Sequence, residues 1–374
     1  VVVEPATADL TKDNNTANLR VDVVDRPIRV AYFDGYPRWE HRYLKSLLLR
    51  ESSIRSTVML LAGDKRYIQE GSDLLAALPR TQEEWHQFDV IILGDMRPEL
   101  FSDDQLRQIR EWVAQRGGGL MLLGGPGAMP TSWRNSPLAD LVPFAIPDAS
   151  AQSAWSVPVT LRRGPAATRL GVLQLGESAD EPFPEFLTDG SLAWTLLRWA
   201  QRVDPATLKP TAEVLATIGP PTNASALNSG AEDTDHPLDH ATPAVLSMRY
   251  GAGRSVFVAT DEIWRLRYGR GETLTERFWI PLVRLLARDS LARGGSAATL
   301  EASPTRALVE QQVSITLRLL DQTLLESKPE SISVRVRLAD APATAQDAGV
   351  PVTLRPPQGD GESLVGGYTG VFVP

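Results

Sequence analysis

Short apolar runs alternate with helical repeats along most of the chain. Ile28-Arg29-Val30-Ala31-Tyr32-Phe33 reads as a strand, closed by the turn Asp34-Gly35-Tyr36-Pro37. A helix is predicted next, with Trp39, Tyr43, Leu44, Leu47 and Leu48 on its buried face. Pro37 suits its first turn, Asp34 is a candidate cap, and Trp39 a candidate core residue. Residues 56–61 read as a second strand. Phe88-Asp89-Val90-Ile91-Ile92-Leu93 reads as a third, apolar on both faces and ended by Gly94-Asp95. Continuous apolar runs of this kind suit parallel strands covered by helices on both sides.

The following helix has clear ends. Ser102 and Gln105 have the spacing of a capping box, and Asp103 and Asp104 favour the positive N-terminal end. Leu106, Ile109, Trp112 and Val113 form its apolar face, and Gly117-Gly118-Gly119 stops it. Leu120-Met121-Leu122-Leu123 is the fourth strand, followed by Gly124-Gly125-Pro126-Gly127. Stretches within 151–175 and 211–218 are predicted to add edge strands. Residues 223–242 read as a polar loop. Residues 244–248 and 255–259 suit a hairpin, and 278–287 a closing helix. The alternation predicts an α/β fold whose parallel sheet binds ligands at the carboxyl ends of its strands.

From about residue 296 the period changes to two. Runs at 313–319, 332–338, 350–354 and 368–373 are separated by Pro and Gly clusters, the pattern of a small β-sandwich. The expected organisation is a linker or the end of a preceding domain over 1–26, an α/β domain over 27–295, and an Ig-like β-sandwich over 296–374. The sandwich is expected to be cut short, and both chain ends to be boundaries within something longer.

Composition narrows the functions. The 374 residues carry 38 Lys and Arg against 46 Asp and Glu, a net charge of −8. That balance argues against a broad surface for nucleic acid. Cysteine is absent, which excludes disulfides, thiolate metal sites and cysteine nucleophiles. No apolar run is long enough to cross a bilayer, so this stretch is not expected to contact a membrane itself.

Three segments resemble one family. They are Arg29-Val30-Ala31-Tyr32-Phe33-Asp34-Gly35-Tyr36-Pro37-Arg38-Trp39-Glu40, Gly117-Gly118-Gly119-Leu120-Met121-Leu122-Leu123-Gly124-Gly125-Pro126, and Tyr250-Gly251-Ala252-Gly253-Arg254 with Ala259-Thr260-Asp261-Glu262-Ile263-Trp264-Arg265. Together they resemble the glutamine amidotransferase-like domains of large bacterial membrane proteins associated with von Willebrand factor A-type domains. The resemblance covers roughly residues 27–290. It implies a class I amidotransferase-like, flavodoxin-like parallel sheet flanked by helices, in the periplasmic part of a membrane-anchored protein. It also implies a nucleophile turn at Leu123-Gly124-Gly125-Pro126-Gly127, where Gly125 falls nearest the catalytic position and offers no side chain. The family's His and Glu would fall at Thr260-Asp261-Glu262, which holds no His. Gly125, Asp261 and Glu262 are thus degenerate positions, and amidotransferase chemistry is not expected.

Other chemistry remains open at the strand ends. Asp34, Arg38, Glu40, Asp95, Asp261 and Arg265 are expected to share one polar rim, with Tyr36, Trp39 and Trp264 beside it. Gly124, Gly125 and Glu262 fall on the same rim. The cluster reads either as a ligand cleft or as an internal salt-bridge network that locks the loops. Asp235, His236, Asp239 and His240 are weak metal candidates, because Pro237 separates the histidines and a solvated acidic loop explains them better. No cofactor is expected.

The leading expectation is an inactive amidotransferase-like assembly module that contacts other envelope proteins or other domains of its own chain. The alternatives are a hydrolase using carboxylates at the sheet edge and a small-molecule or carbohydrate sensor. Two close carboxylates in a deep pocket would favour the first alternative, and an open aromatic-lined cleft the second.

Overall fold

The computed structural model describes residues 26–61, 67–148, 154–178, 180–222, 241–293, 298–304, 310–319, 327, 329–336, 349–356 and 367–373. The chain forms β1 (Ile28–Asp34), α1 (Trp39–Arg50), β2 (Ile54–Leu61), β3 (Tyr67–Gly71), α2 (Gln82–His86), β4 (Val90–Leu93), α3 (Asp103–Arg116) and β5 (Gly119–Leu123). Then follow β6 (Thr160–Arg163), α4 (Pro165–Leu170), β7 (Ala212–Gly219), β8 (Thr242–Tyr250), β9 (Gly253–Val258), α5 (Arg267–Arg270) and α6 (Thr273–Arg293).

These strands make one nine-stranded sheet in the order β3-β2-β1-β4-β5-β9-β8-β7-β6. The pairs β2-β1, β1-β4, β4-β5 and β5-β9 are parallel. Both edges are antiparallel, with β3 on one side and β8, β7 and β6 on the other. The sheet is therefore mixed, parallel at its centre and antiparallel at its edges, and the antiparallel β8-β9 pair falls where a hairpin was expected. Strands β4, β5 and β9 are buried along their whole length, as the continuous apolar runs require. One core includes Tyr32, Leu44, Ile92, Met121 and Phe278, and a second includes Phe33, Trp85, Ile91, Trp112 and Phe257. Alternate residues of β1 and β4 thus feed opposite faces, as a strand's period of two demands.

The predicted α3 is present with both halves of its capping box: Gln105 N–H donates to Ser102 Oγ at 3.2 Å, and Ser102 N–H to Gln105 Oε1 at 2.9 Å. Gly117 closes it in the left-handed conformation, φ 76°. Sequence reading omits β3 and α2, and it stops the last helix short of Arg293. It also misplaces the buried face of α1. Glu40, His41, Leu44, Leu47 and Leu48 are buried, while Trp39 is 51% exposed. The helical period explains this, since positions 40, 44, 47 and 48 share one face and Trp39 lies off it.

The C-terminal residues form two small antiparallel sheets. One is β10 (Ala298–Ser303), β11 (Val313–Leu319) and β14 (Gly367–Phe372), and the other is β12 (Ile332–Val336) with β13 (Val350–Leu354). Ile315, Leu317, Leu319, Val352, Leu354 and Tyr368 form their shared core, with Ile332, Val334 and Val336 packed against it. Among the described residues no helix is long and apolar enough to cross a membrane.

Candidate functional site

The carboxyl end of β1 carries a buried charge network. Asp34, fully buried, accepts hydrogen bonds from Tyr32 Oη at 2.6 Å, Gly35 N–H at 2.9 Å and Arg38 Nε at 3.0 Å. His41 Nδ1 stands 3.6 Å away. Burial works against the Asp34 charge, yet Arg38, the nearby His41 and the Tyr32 hydroxyl hold its pKa below the ordinary value. Gly94, at the end of β4, makes room for this carboxylate, because a Cβ there would coincide with it. Asp34 therefore does not cap α1. Arg38 occupies the N-cap position and supplies no side-chain cap.

Arg38 links Asp34 to the loop after β9. Its Nη1 lies 3.4 Å from Asp261 Oδ2, and its side chain is 6% exposed. Neither Nη1 nor Nη2 makes a hydrogen bond. Burial pushes the Asp261 carboxyl up to about 6, with help from the Glu262 charge and against the pull of Arg38. Glu40 lies deeper. Its Oε2 accepts from Trp264 N–H at 3.1 Å, while Oε1 has no partner. Burial pushes its pKa up to about 8, so it is neutral at pH 7.

Asp95 holds the turn that follows β5. Its carboxylate accepts from the backbone N–H groups of Gly127 at 2.7 Å, Ala128 at 2.6 Å and Met129 at 2.8 Å, and from Tyr36 Oη at 2.6 Å. Burial and this bond to Asp95 raise the Tyr36 pKa. A Cβ at Gly125 would collide with Asp95. The turn after β5 is thus closed by the protein's own carboxylate, and Gly124 and Gly125 present no reactive group. Glu262 is likewise structural: it accepts from the backbone N–H of Arg198, and from that of Trp199 at 3.1 Å. Arg265 Nε donates to Leu196 O at 3.0 Å. The expected single rim is therefore divided. Asp95, Tyr36, Glu262 and Arg265 lock loops, and Asp34 and Glu40 are sealed beneath Arg38.

A small cavity of about 250 Å³ borders Gly125, Gly127 and Ala128, and a larger one of about 610 Å³ lies beside α1. Arg38, Asp261 and Glu262 lie at one end, Trp39 and Trp264 form a wall, and Val58, Leu60 and Ile68 form an apolar side. Pro37, His41, Arg42, Lys45 and Glu70 complete the lining. Trp39 stacks on Tyr43 with ring centroids 5.8 Å apart and leans on Trp264 at 5.8 Å. Trp264 is further enclosed by Tyr43, Tyr268 and the Arg265 guanidinium. Of the two tryptophans, Trp39 is the half-exposed one.

His41, Arg42 and Lys45 were not anticipated as site residues. The signal was present: they follow Arg38 at intervals of three, four and seven, one stripe of α1. Asp235, His236, Asp239 and His240 lie outside the described residues. Among the described residues no cluster of His, Cys, Asp or Glu suits a metal ion.

The chain matches no protein-family model and no curated protein. Among solved structures it aligns with a catalytic mutant of Gan42B, a GH42 β-galactosidase from G. stearothermophilus, at TM-score 0.31 and 10% identity over 93% of this chain and 41% of that one. It also aligns with the exo-β-1,4-mannosidase Op5Man5 from Opitutaceae bacterium strain TAV5, at TM-score 0.34 and 14% identity over 72% and 36%. A third is the β-galactosidase of the Antarctic haloarchaeon Halorubrum lacusprofundi, at TM-score 0.33 and 15% identity over 94% and 40%. The chain spans about two-fifths of the length of these structures. Likeness this distant assigns no activity. The resemblance drawn from sequence has no support among these comparisons, in which no family model matches and the aligned structures are named as glycoside hydrolases, and it is not carried further. The inactive amidotransferase-like assembly module, and with it the pseudoenzyme reading, is withdrawn.

Proposed function

We propose that the cavity beside α1 binds a small polyhydroxylated ligand of the carbohydrate class. The carrying observation is Trp39, a large ring that lines the cavity, is 51% exposed and is held by its stack on Tyr43. A sugar presents an apolar C–H face that covers such a ring, and hydroxyls that need a few fixed polar partners. Asp261 and Arg38 provide those partners at one end. The cavity's volume of about 610 Å³ lies within the usual range for small-molecule sites.

The parallel strands β2-β1-β4-β5-β9 follow the order 2-1-3-4-5 when numbered among themselves, which supports a flavodoxin-like reading of the sheet's centre. In such sheets ligands sit at the switch point, here between β1 and β4. Asp34, Asp95 and Tyr36 fill that crevice, and the open cavity is displaced toward β2 and β3.

Calorimetric titration with a panel of neutral mono- and oligosaccharides tests the reading. The wild-type protein gives saturable heat and Trp39→Ala does not. Equal binding by the two proteins contradicts it. A second reading, hydrolysis, rests on Asp261, a cavity carboxyl pushed up to about 6 and so able to hold or release a proton in mildly acidic solution. It predicts release of nitrophenol from aryl glycosides that Asp261→Asn abolishes. Turnover unchanged in that variant removes Asp261 from the chemistry.

A further inference from the structure

The guanidinium of Arg38 is bonded on one side only. Nε is committed to Asp34, while Nη1 and Nη2 are buried without a hydrogen bond. Buried donors left in this state cost free energy and call for an explanation. Asp261 faces them at 3.4 Å but does not meet hydrogen-bond geometry, so it neutralises Arg38 without satisfying it.

The other charged side chains lining the cavity are Arg42 and Lys45 against Glu70 and Glu262. Glu70 is paired with Lys45, and Glu262 is held by the backbone N–H groups of Arg198 and Trp199. Arg42, exposed at the lip, lies over the rings of Trp39 and Tyr43, 5.5 and 5.9 Å from their centroids. Its cation is supported by aromatic faces. The first turn of the twelve-residue α1 opens beside Arg38 with no cap from that side chain, which adds a partial positive charge.

We propose that the ligand taken by this cavity is anionic: its carboxylate or phosphate displaces Asp261 and bonds both Nη atoms of Arg38, while its ring lies on Trp39. Asp261 acts as an internal stand-in that covers Arg38 until the ligand arrives. A planar guanidinium edge holds two oxygens of one anionic group in a way that a single facing carboxylate at 3.4 Å does not. This inference rests on the carbohydrate reading and narrows it to uronates or sugar phosphates, which share the anionic group.

Titration of the full chain with glucuronate, glucose 6-phosphate and glucose tests it. At least one anionic sugar is expected to bind about tenfold tighter than glucose, the order of a single charge-assisted contact. The anionic probe that binds identifies the group. Asp261→Asn removes the competing carboxylate and raises that preference. Arg38→Lys keeps a charge for Asp34 but loses the fork, and brings the anionic probe down to glucose; its melting temperature checks that the fold survives. If glucose binds as well as both anions, the anionic inference fails and the carbohydrate reading stands. If Asp261→Asn weakens the anions, the stand-in role is wrong. If none of the three probes binds, both fail.

Discussion

Replacing Glu40 with Gln isolates a buried carboxyl of the network. Glu40 is 1% exposed, and burial lifts its pKa from the ordinary 4.5 to about 8. Between those values the folded chain holds a proton that the unfolded chain has released. Stability therefore falls as pH rises through that window and levels off above it. At about 1.4 kcal/mol per pH unit, the full displacement corresponds to a loss on the order of 5 kcal/mol. Gln has the shape of the protonated acid, and its carbonyl retains the bond from Trp264 N–H. Glu40→Gln should thus match the wild type near the lower end of the window and exceed it increasingly above neutrality. Denaturant melts of both proteins between about pH 5 and pH 9 measure the difference directly, since other titrating groups largely cancel in the subtraction. A difference that stays flat with pH would refute the buried, neutral Glu40.

Other substitutions probe neighbouring parts. Gly125→Ala drives a Cβ into Asp95 and strips acceptors from the N–H groups of Gly127, Ala128 and Met129, so calorimetry should show a loss on the order of 3 kcal/mol. Ser102→Ala removes one half of the α3 capping box and should cost about 1 kcal/mol in denaturant melts. Trp39→Ala, at a half-exposed position, should leave the unfolding midpoint within about 1 kcal/mol of wild type, so that lost binding is read as lost contact.

Much of the α/β domain was legible because its signals are local. The apolar runs of β1, β4 and β5 and the cap of α3 each declare themselves within a few residues. The antiparallel edge strand β3 was not legible, since Tyr67-Ile68-Gln69-Glu70-Gly71 is half polar and owes its pairing to β2. Site residues were chosen by position at the strand ends. Their roles depended on which hydrogen bonds were already taken. Asp95 and Asp261 are both acids after a buried strand, yet one closes a turn and the other faces a cavity. No spacing distinguishes them, because the deciding donors lie more than thirty positions away in sequence for Asp95. The motif resemblance could not fix a family, because glycine-rich turns after strands serve any sheet in which a loop must pass close to a side chain, as Gly94 and Gly125 do here.

The most direct test of the ligand site is a crystal of the protein soaked with the tightest-binding sugar from the titrations. The account predicts a sugar ring against Trp39 within the cavity and a polar group at Arg38, with Asp261 turned aside. A ring bound elsewhere on the protein, with the cavity beside α1 empty and the Arg38–Asp261 pair undisturbed, would contradict it.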